Sequence, residues 1–156
     1  MRFDEIDFED EVLDGLYDMN FEEMTPVQEA TIPVILEGSD LIACAQTGTG
    51  KTAAYTLPLL NKLLVEGNED NVVKTLVVVP TRELAMQITD EMRDIAVCHE
   101  GVRLVCLYGG QPIGKQIDAL KRRPQIVVAT PGRLSDHMKR RTVNLKSVQT
   151  VVLDEA

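Results

Sequence analysis

The stretch Ala45-Gln46-Thr47-Gly48-Thr49-Gly50-Lys51-Thr52 decides the fold, because its spacing is the one needed to hold the phosphates of a nucleoside triphosphate. It follows a short apolar run of strand length, Leu41-Ile42-Ala43-Cys44-Ala45. It precedes a segment from Lys51 to Leu64 with helical apolar spacing at Ala54, Leu57, Leu60 and Leu64. Alone it would read as a glycine-rich turn; between a strand and a helix it reads as a phosphate-binding loop. Gly48 and Gly50 let the backbone curl so that successive N–H groups point inward, and the helix start adds partial positive charge. Lys51 can then reach the terminal phosphates, and the Thr52 hydroxyl can ligate Mg²⁺. Ala45 stands where the strict G-x-x-x-x-G-K-[ST] pattern has its first glycine, so the pattern is missed by one methyl.

Outward from the loop, apolar strands alternate with helices. Upstream, Phe8 to Met19 carries Phe8, Val12, Leu16 and Met19 on one helical face, and Thr25-Pro26 with Gln28 three residues on opens a helix that runs to Leu36 and stops at Gly38. Downstream, the spacing predicts strands over 75–79, 102–107, 125–129 and 150–153, and helices after Thr81, from Pro112 to Arg122 and from Pro131 to Arg140. Glu66 to Asn71 reads as a polar loop, and Gly109-Gly110 as a turn. Strands apolar throughout, alternating with helices, predict a doubly wound α/β domain with a mostly parallel sheet and helices on both faces. In such a sheet the ligand lies beyond the carboxyl ends of the strands. This reading gathers four loops: Gln46 to Lys51, Pro80 to Glu83, Thr130 to Arg133, and the residues after Leu153.

The chain has 156 residues, 44% of them hydrophobic and 26% charged, a composition that suits one soluble globular domain. Neither a membrane span nor a signal peptide is evident, and Cys44, Cys98 and Cys106 lack paired spacing, which points to reduced thiols in an intracellular, cytoplasmic protein. His99 and His137 read as surface residues, too far apart in sequence for a zinc site. The net charge of −9 is unevenly spread: residues 1–30 hold eleven acids and one base, whereas 31–156 hold fourteen acids and fifteen bases. Between Lys115 and Lys146 nine Lys/Arg face only Asp118 and Asp136, so this part of the chain offers either an ordinary solvated surface or a place for phosphates.

Val151-Val152-Leu153 ends in Asp154 and Glu155. Asp154 is suited to hold Mg²⁺, directly or through water, opposite Thr52, and Glu155 to polarise the water that attacks the γ-phosphate. Two acids ending a strand in solvent is the plainer alternative. With Ala156 they complete a set: Ala45 to Thr52, Pro80-Thr81-Arg82-Glu83-Leu84, Thr130-Pro131-Gly132-Arg133 and Asp154-Glu155-Ala156. In that order the four motifs resemble the DEAD-box family of RNA helicases, and the likeness runs from Phe3 to Ala156. It implies a RecA-like P-loop domain at 39–156, preceded over 1–38 by a helical segment that reads adenine.

In that segment Phe3, Phe21, Thr25 and Gln28 match the family pattern. The resemblance implies that Phe3 stacks on the base, that Gln28 bonds its edge, and that Phe21 packs the segment in place. Taken alone, Phe3 is a frayed or core residue. An amide suits adenine, since it both donates and accepts, whereas guanine would mismatch it. Asn20 stands where the family has Gly, and Met24 where it has Pro. The resemblance further implies that Pro80, Thr81, Arg82, Gly109, Gly110, Thr130, Gly132 and Arg133 line a path for single-stranded RNA. Glycines allow close approach, helix starts offer N–H groups and Arg adds charge, so contacts would grip sugar and phosphate without regard to sequence. Arg82 could instead be an ion-pair partner of Glu83 or Asp154.

The chain stops inside its acidic motif. By resemblance, the strand that follows lies between the phosphate-loop strand and the Asp154 strand, and a second RecA-like domain of the same protein supplies an arginine finger. Loss of such a finger costs about 10³–10⁵ in turnover, so the chain alone is expected to be nearly inactive. The expected function is the ATP- and RNA-binding first domain of an ATP-dependent RNA helicase that unwinds short duplexes or remodels RNA–protein complexes. The alternatives are a non-catalytic RNA clamp and another P-loop helicase acting on DNA.

Overall fold

A computed structural model of the chain describes residues 1–46, 48–67, 72–97, 99 and 101–155. They form two compact units, one of residues Met1–Gly67 with Glu91–Glu100, the other of Asn68–Asp90 with Gly101–Ala156.

The first unit holds a short 3-10 turn, Phe3–Glu5, and helices α1 (Asp10–Asp18), α2 (Pro26–Leu36) and α3 (Lys51–Glu66). α1 buries Val12 and Leu16 and leaves its acids to water, as the spacing predicts. Its start is pinned to α3: the Glu9 N–H donates to Oδ1 of the buried Asn61 at 2.7 Å. α3 is buried over most of its length, with Leu57 and Leu60 fully inside, and each such side chain contributes about 1.5–3 kcal/mol of burial. The first residues lie antiparallel to 22–24, with the Phe3 N–H donating to Glu22 at 3.1 Å and the Met24 N–H to Met1 at 2.9 Å. Asn20, at the family's glycine position, adopts φ +59°, a left-handed conformation that Asn tolerates better than most residues. Met24, at the family's proline position, is buried.

The predicted strand Leu41 to Ala45 does not form. Residues 41–46 have no regular structure, and Leu41 and Ile42 are exposed. An apolar run becomes a strand only when a neighbour satisfies its N–H and C=O groups, and no described strand pairs with this one.

The second unit contains β1 (Thr75–Val78), β2 (Leu104–Leu107), α5 (Ile113–Leu120), β3 (Ile126–Ala129), α6 (Pro131–Lys139) and β4 (Thr150–Leu153). The strands form one parallel sheet in the order β2-β3-β1-β4, with Thr75 opposite both Ile126 and Thr150. β1 and β3 are central and read as continuous apolar runs, since both of their faces are covered. Val73, Leu76, Val105, Leu107, Val127, Ala129 and Leu134 make a shared core. β4 ends the sheet, and its Val151 and Leu153 are exposed. A further helix, α4 (Arg82–Ile95), follows β1; it is capped by Thr81, whose Oγ1 accepts from the Leu84 N–H at 3.2 Å, and it buries Ala85, Ile88 and Met92.

Both histidines are buried, correcting the surface reading: His99 is 7% exposed and His137 is fully enclosed. Cys44 is exposed and Cys106 half-buried, while Cys98 and residues 68–71 of the polar loop lie outside the described residues. No helix among the described residues is long and apolar enough to cross a membrane.

Candidate functional site

In the first unit the phosphate loop is tied to the start of α2 by one side chain. Gln28 is 3% exposed and its amide is engaged at both ends. Its Oε1 accepts from the Thr25 N–H at 3.0 Å, and its Nε2 donates to the Gly50 carbonyl at 3.0 Å. Thr25 Oγ1 in turn accepts from the Gln28 N–H at 3.4 Å, which makes Thr25 and Gln28 a reciprocal cap of α2. Gly50 holds φ +82°, and a Cβ there would run into Gln28 Nε2 and lie 3.1 Å from Thr25 Oγ1. Thr49 Oγ1 donates to the Gln46 carbonyl at 2.6 Å and closes the loop on itself. Gly48 is exposed, Lys51 opens α3 half-buried, and Thr52 is buried beside it; among the described residues, no side chain of the N-cap position bonds this helix start. Thr47 lies outside the described residues. Phe3 is 3% exposed and stacks on Phe21, with ring centroids 6.1 Å apart and planes at 20°; of the two rings, that of Phe21 is the more exposed.

In the second unit the parallel strands carry four candidate loops to the same end of the sheet, beyond their carboxyl termini. Pro80, Thr81 and Arg82 follow β1, and all three are exposed. Arg82 lies over the Tyr108 ring, 5.6 Å from its centroid, an arrangement favoured by the ring's negative face. Gly109 and Gly110 follow β2; Gly110 has φ +91°, and a Cβ there would come within 2.8 Å of Arg82 Nη1. Thr130, Pro131, Gly132 and Arg133 follow β3 and start α6, whose first N–H groups have no side-chain cap. Arg133 Nη1 donates to the Gln111 carbonyl at 2.9 Å and to Gln116 Oε1 at 3.2 Å, and its Nε pairs with Asp136 at 3.6 Å. Asp154, after β4, is 5% exposed and its N–H donates to Val78 at 3.0 Å. Glu155 is exposed, at φ +59°.

A family model described as DEAD/DEAH box helicase matches residues 25–156. The chain belongs to the DEAD/DEAH box helicase family. This helicase-family chain is 48% identical over 155 residues to the ATP-dependent RNA helicase CshA of Listeria monocytogenes, covering 99% of the chain and 29% of that protein. It is 51% identical over 154 residues to the DEAD-box ATP-dependent RNA helicase CshA of Bacillus cereus, again covering 99% of the chain and 29% of the relative. The chain therefore spans under a third of these relatives. A crystal structure of a DEAD box protein from Methanococcus jannaschii superposes with a TM-score of 0.88 at 38% identity, over 98% of the chain and 41% of that structure. A hypothetical ATP-dependent RNA helicase from Sulfolobus tokodaii gives 0.80 at 38% identity, over 93% and 40%. The fold is thus the RecA-like α/β fold of DEAD-box proteins.

In this DEAD-box chain, Gln28 and Gly50 meet in the first unit, while the Arg82, Gly110, Arg133 and Asp154 loops follow the carboxyl ends of the parallel strands in the second. A group absent from the sequence reading is buried between α5 and α6. Gln116 Nε2 donates to the Tyr108 carbonyl at 2.8 Å and to Gln111 Oε1 at 2.9 Å, while His137 Nε2 lies 2.9 Å from Gln116 Oε1 and Nδ1 lies 2.7 Å from Thr142 Oγ1. With Gln116 Oε1 as an acceptor, His137 Nε2 carries a proton and donates to it, while Thr142 Oγ1, beside Nδ1, also lies 3.2 Å from the His137 carbonyl, to which it donates. Burial holds the His137 pKa below the ordinary histidine value, the Arg133 and Arg140 charges lower it further, and Asp136 opposes them. The sequence signal was Gln116 standing in the apolar register of Ile113, Ile117 and Leu120.

Proposed function

We propose that the chain is the ATP- and RNA-binding first domain, spanning 39–156 with an adenine-reading segment at 1–38, of an ATP-dependent RNA helicase acting in the cytoplasm. The observation that supports this is the buried Gln28 amide, whose Nε2 donates to the Gly50 carbonyl of the phosphate loop. In this reading Gln28 bonds the edge of the base and Phe3 stacks on it. Gln46, Thr47, Gly48, Thr49, Gly50 and Lys51 cradle the phosphates with backbone N–H groups and the lysine charge. Mg²⁺ takes few protein oxygens and fills its shell with phosphate and water. The Thr52 hydroxyl and the Asp154 carboxylate are donors of that kind, and the ion would neutralise phosphate charge. Glu155 polarises the attacking water.

RNA follows the strand-end loops of the second unit, gripped at sugar and phosphate by the start of α4 at Thr81 and Arg82, by the Gly109–Gly110 turn and by the start of α6 at Thr130, Gly132 and Arg133. Such contacts are indifferent to base sequence. A second RecA-like domain of the whole protein completes the cleft, and closure of the two bends the strand and opens a short duplex.

Titration with fluorescent ADP and Mg²⁺, competed by ATP and by GTP, tests this. We expect ATP to compete and GTP to fail, and Gln28→Ala to weaken ADP and to erase the difference between ATP and GTP. Equal competition by GTP against the unmodified chain would refute the adenine assignment.

A further inference from the structure

We propose that Gln116 is a positioning residue for RNA binding: from inside the second unit it holds the turn Tyr108 to Gln111 so that Arg82 and Arg133 are presented as a fixed pair of cations. The inference rests on the reading of these loops as an RNA path.

Gln116 is 1% exposed, and all four of its bonding positions are used within the protein. Its two N–H groups go to Tyr108 O and Gln111 Oε1, and its Oε1 receives Arg133 Nη1 and His137 Nε2. The turn it grips touches an arginine at each end. Tyr108 offers its ring to Arg82, and Gly110 leaves the space that Arg82 Nη1 occupies. Gln111 gives its carbonyl to Arg133. The two arginines belong to different helices, α4 and α6, and their common support is this four-residue turn. A phosphate chain has a fixed repeat, so cations locked in place lose less side-chain entropy on binding than cations that must be gathered. Gln116 meets no solvent and cannot touch RNA itself; its effect must pass through the groups it holds.

The test is a double-mutant cycle on RNA affinity, read as fluorescence anisotropy of a labelled single-stranded oligouridine, with a cooperative urea transition of each variant, followed by circular dichroism, as the check of fold. Gln116→Met keeps the volume and removes the bonds. We expect it to weaken RNA about tenfold, to lower the slope of log affinity against log salt by about one contact, and to leave ADP affinity as it was. In an Arg133→Ala background the same change should cost under about threefold, because the cation it positions is gone. Equal factors in both backgrounds, or unchanged RNA affinity in a folded Gln116→Met protein, would overturn the proposal. If Gln116→Met shows no cooperative urea transition, Gln111→Ala serves instead. It removes one acceptor from a half-buried loop residue, and it should weaken RNA about threefold only while Arg133 is present; an effect that persists without Arg133 would overturn it. Absence of RNA binding by the unmodified chain would overturn the RNA reading and, with it, this one.

Discussion

A methyl group at Gly50 would occupy the place of the Gln28 amide nitrogen, whereas one at Gly48 would meet nothing within 4 Å, although both glycines hold a positive φ. Both substitutions pay the left-handed backbone cost of about 1–2 kcal/mol. Only Gly50→Ala also breaks the tie between α2 and the phosphate loop. In urea denaturation we expect Gly50→Ala to lose more stability than Gly48→Ala, and in ADP titration to lose more affinity. Equal losses would mean that the Gln28 contact contributes nothing. The two glycines were legible as a pair from the motif alone, but their different reasons were not, because the reason at Gly50 is a side chain 22 residues upstream. Asn20 is the converse case. The sequence marks it as a departure from the family's glycine, and the backbone at φ +59° takes the glycine conformation with an asparagine in place.

Elements that carry their own pattern were readable. α1, α2 and α3 form where the sequence places helices, α2 with the Thr25–Gln28 cap that it announces, and the four strands of the sheet are the apolar runs expected at 75–79, 102–107, 125–129 and 150–153. The run Leu41 to Ala45 has the same composition and stays irregular, since strand formation belongs to a ladder rather than to a segment. The polar contact between α5 and α6 was hidden for a related reason: Gln116 and His137 each sit where their helix would place an apolar residue, and only the fold brings them together. That contact has a pH signature. His137 is held neutral, so its folded pKa lies below the ordinary value of 6.5 that it regains on unfolding. His99, enclosed beside Glu11, is shifted the same way by burial. Unfolding therefore takes up protons in acid; the stabilisation is present above the ordinary value and is lost as pH falls below it. Urea midpoints should decline from about pH 7.5 to about pH 5, and the decline should be shallower in His137→Gln, which keeps a neutral donor. An unchanged slope would place the titrating group elsewhere.

For the whole molecule, the chemistry is divided: the phosphate loop and its glutamine belong to one compact unit, the strand-end arginines and the acid pair to the other. The motifs announced both sets. What no motif announced is the surface left around them, with Ile42 96% exposed and, at the end of the sheet, Val151 56% and Leu153 66% exposed. An apolar end strand is a template for another chain. Light scattering at raised concentration should detect association, and Val151→Lys should suppress it while leaving ADP binding as it was; scattering unaffected by the substitution would locate the contact on another surface. β4 runs parallel to β1 in a ladder that can be extended. A strand added beside β4, from a second copy or from further residues of a longer protein, would cover Val151 and Leu153, so a melting temperature measured for these 156 residues by themselves should be quoted with the dilution at which it was taken.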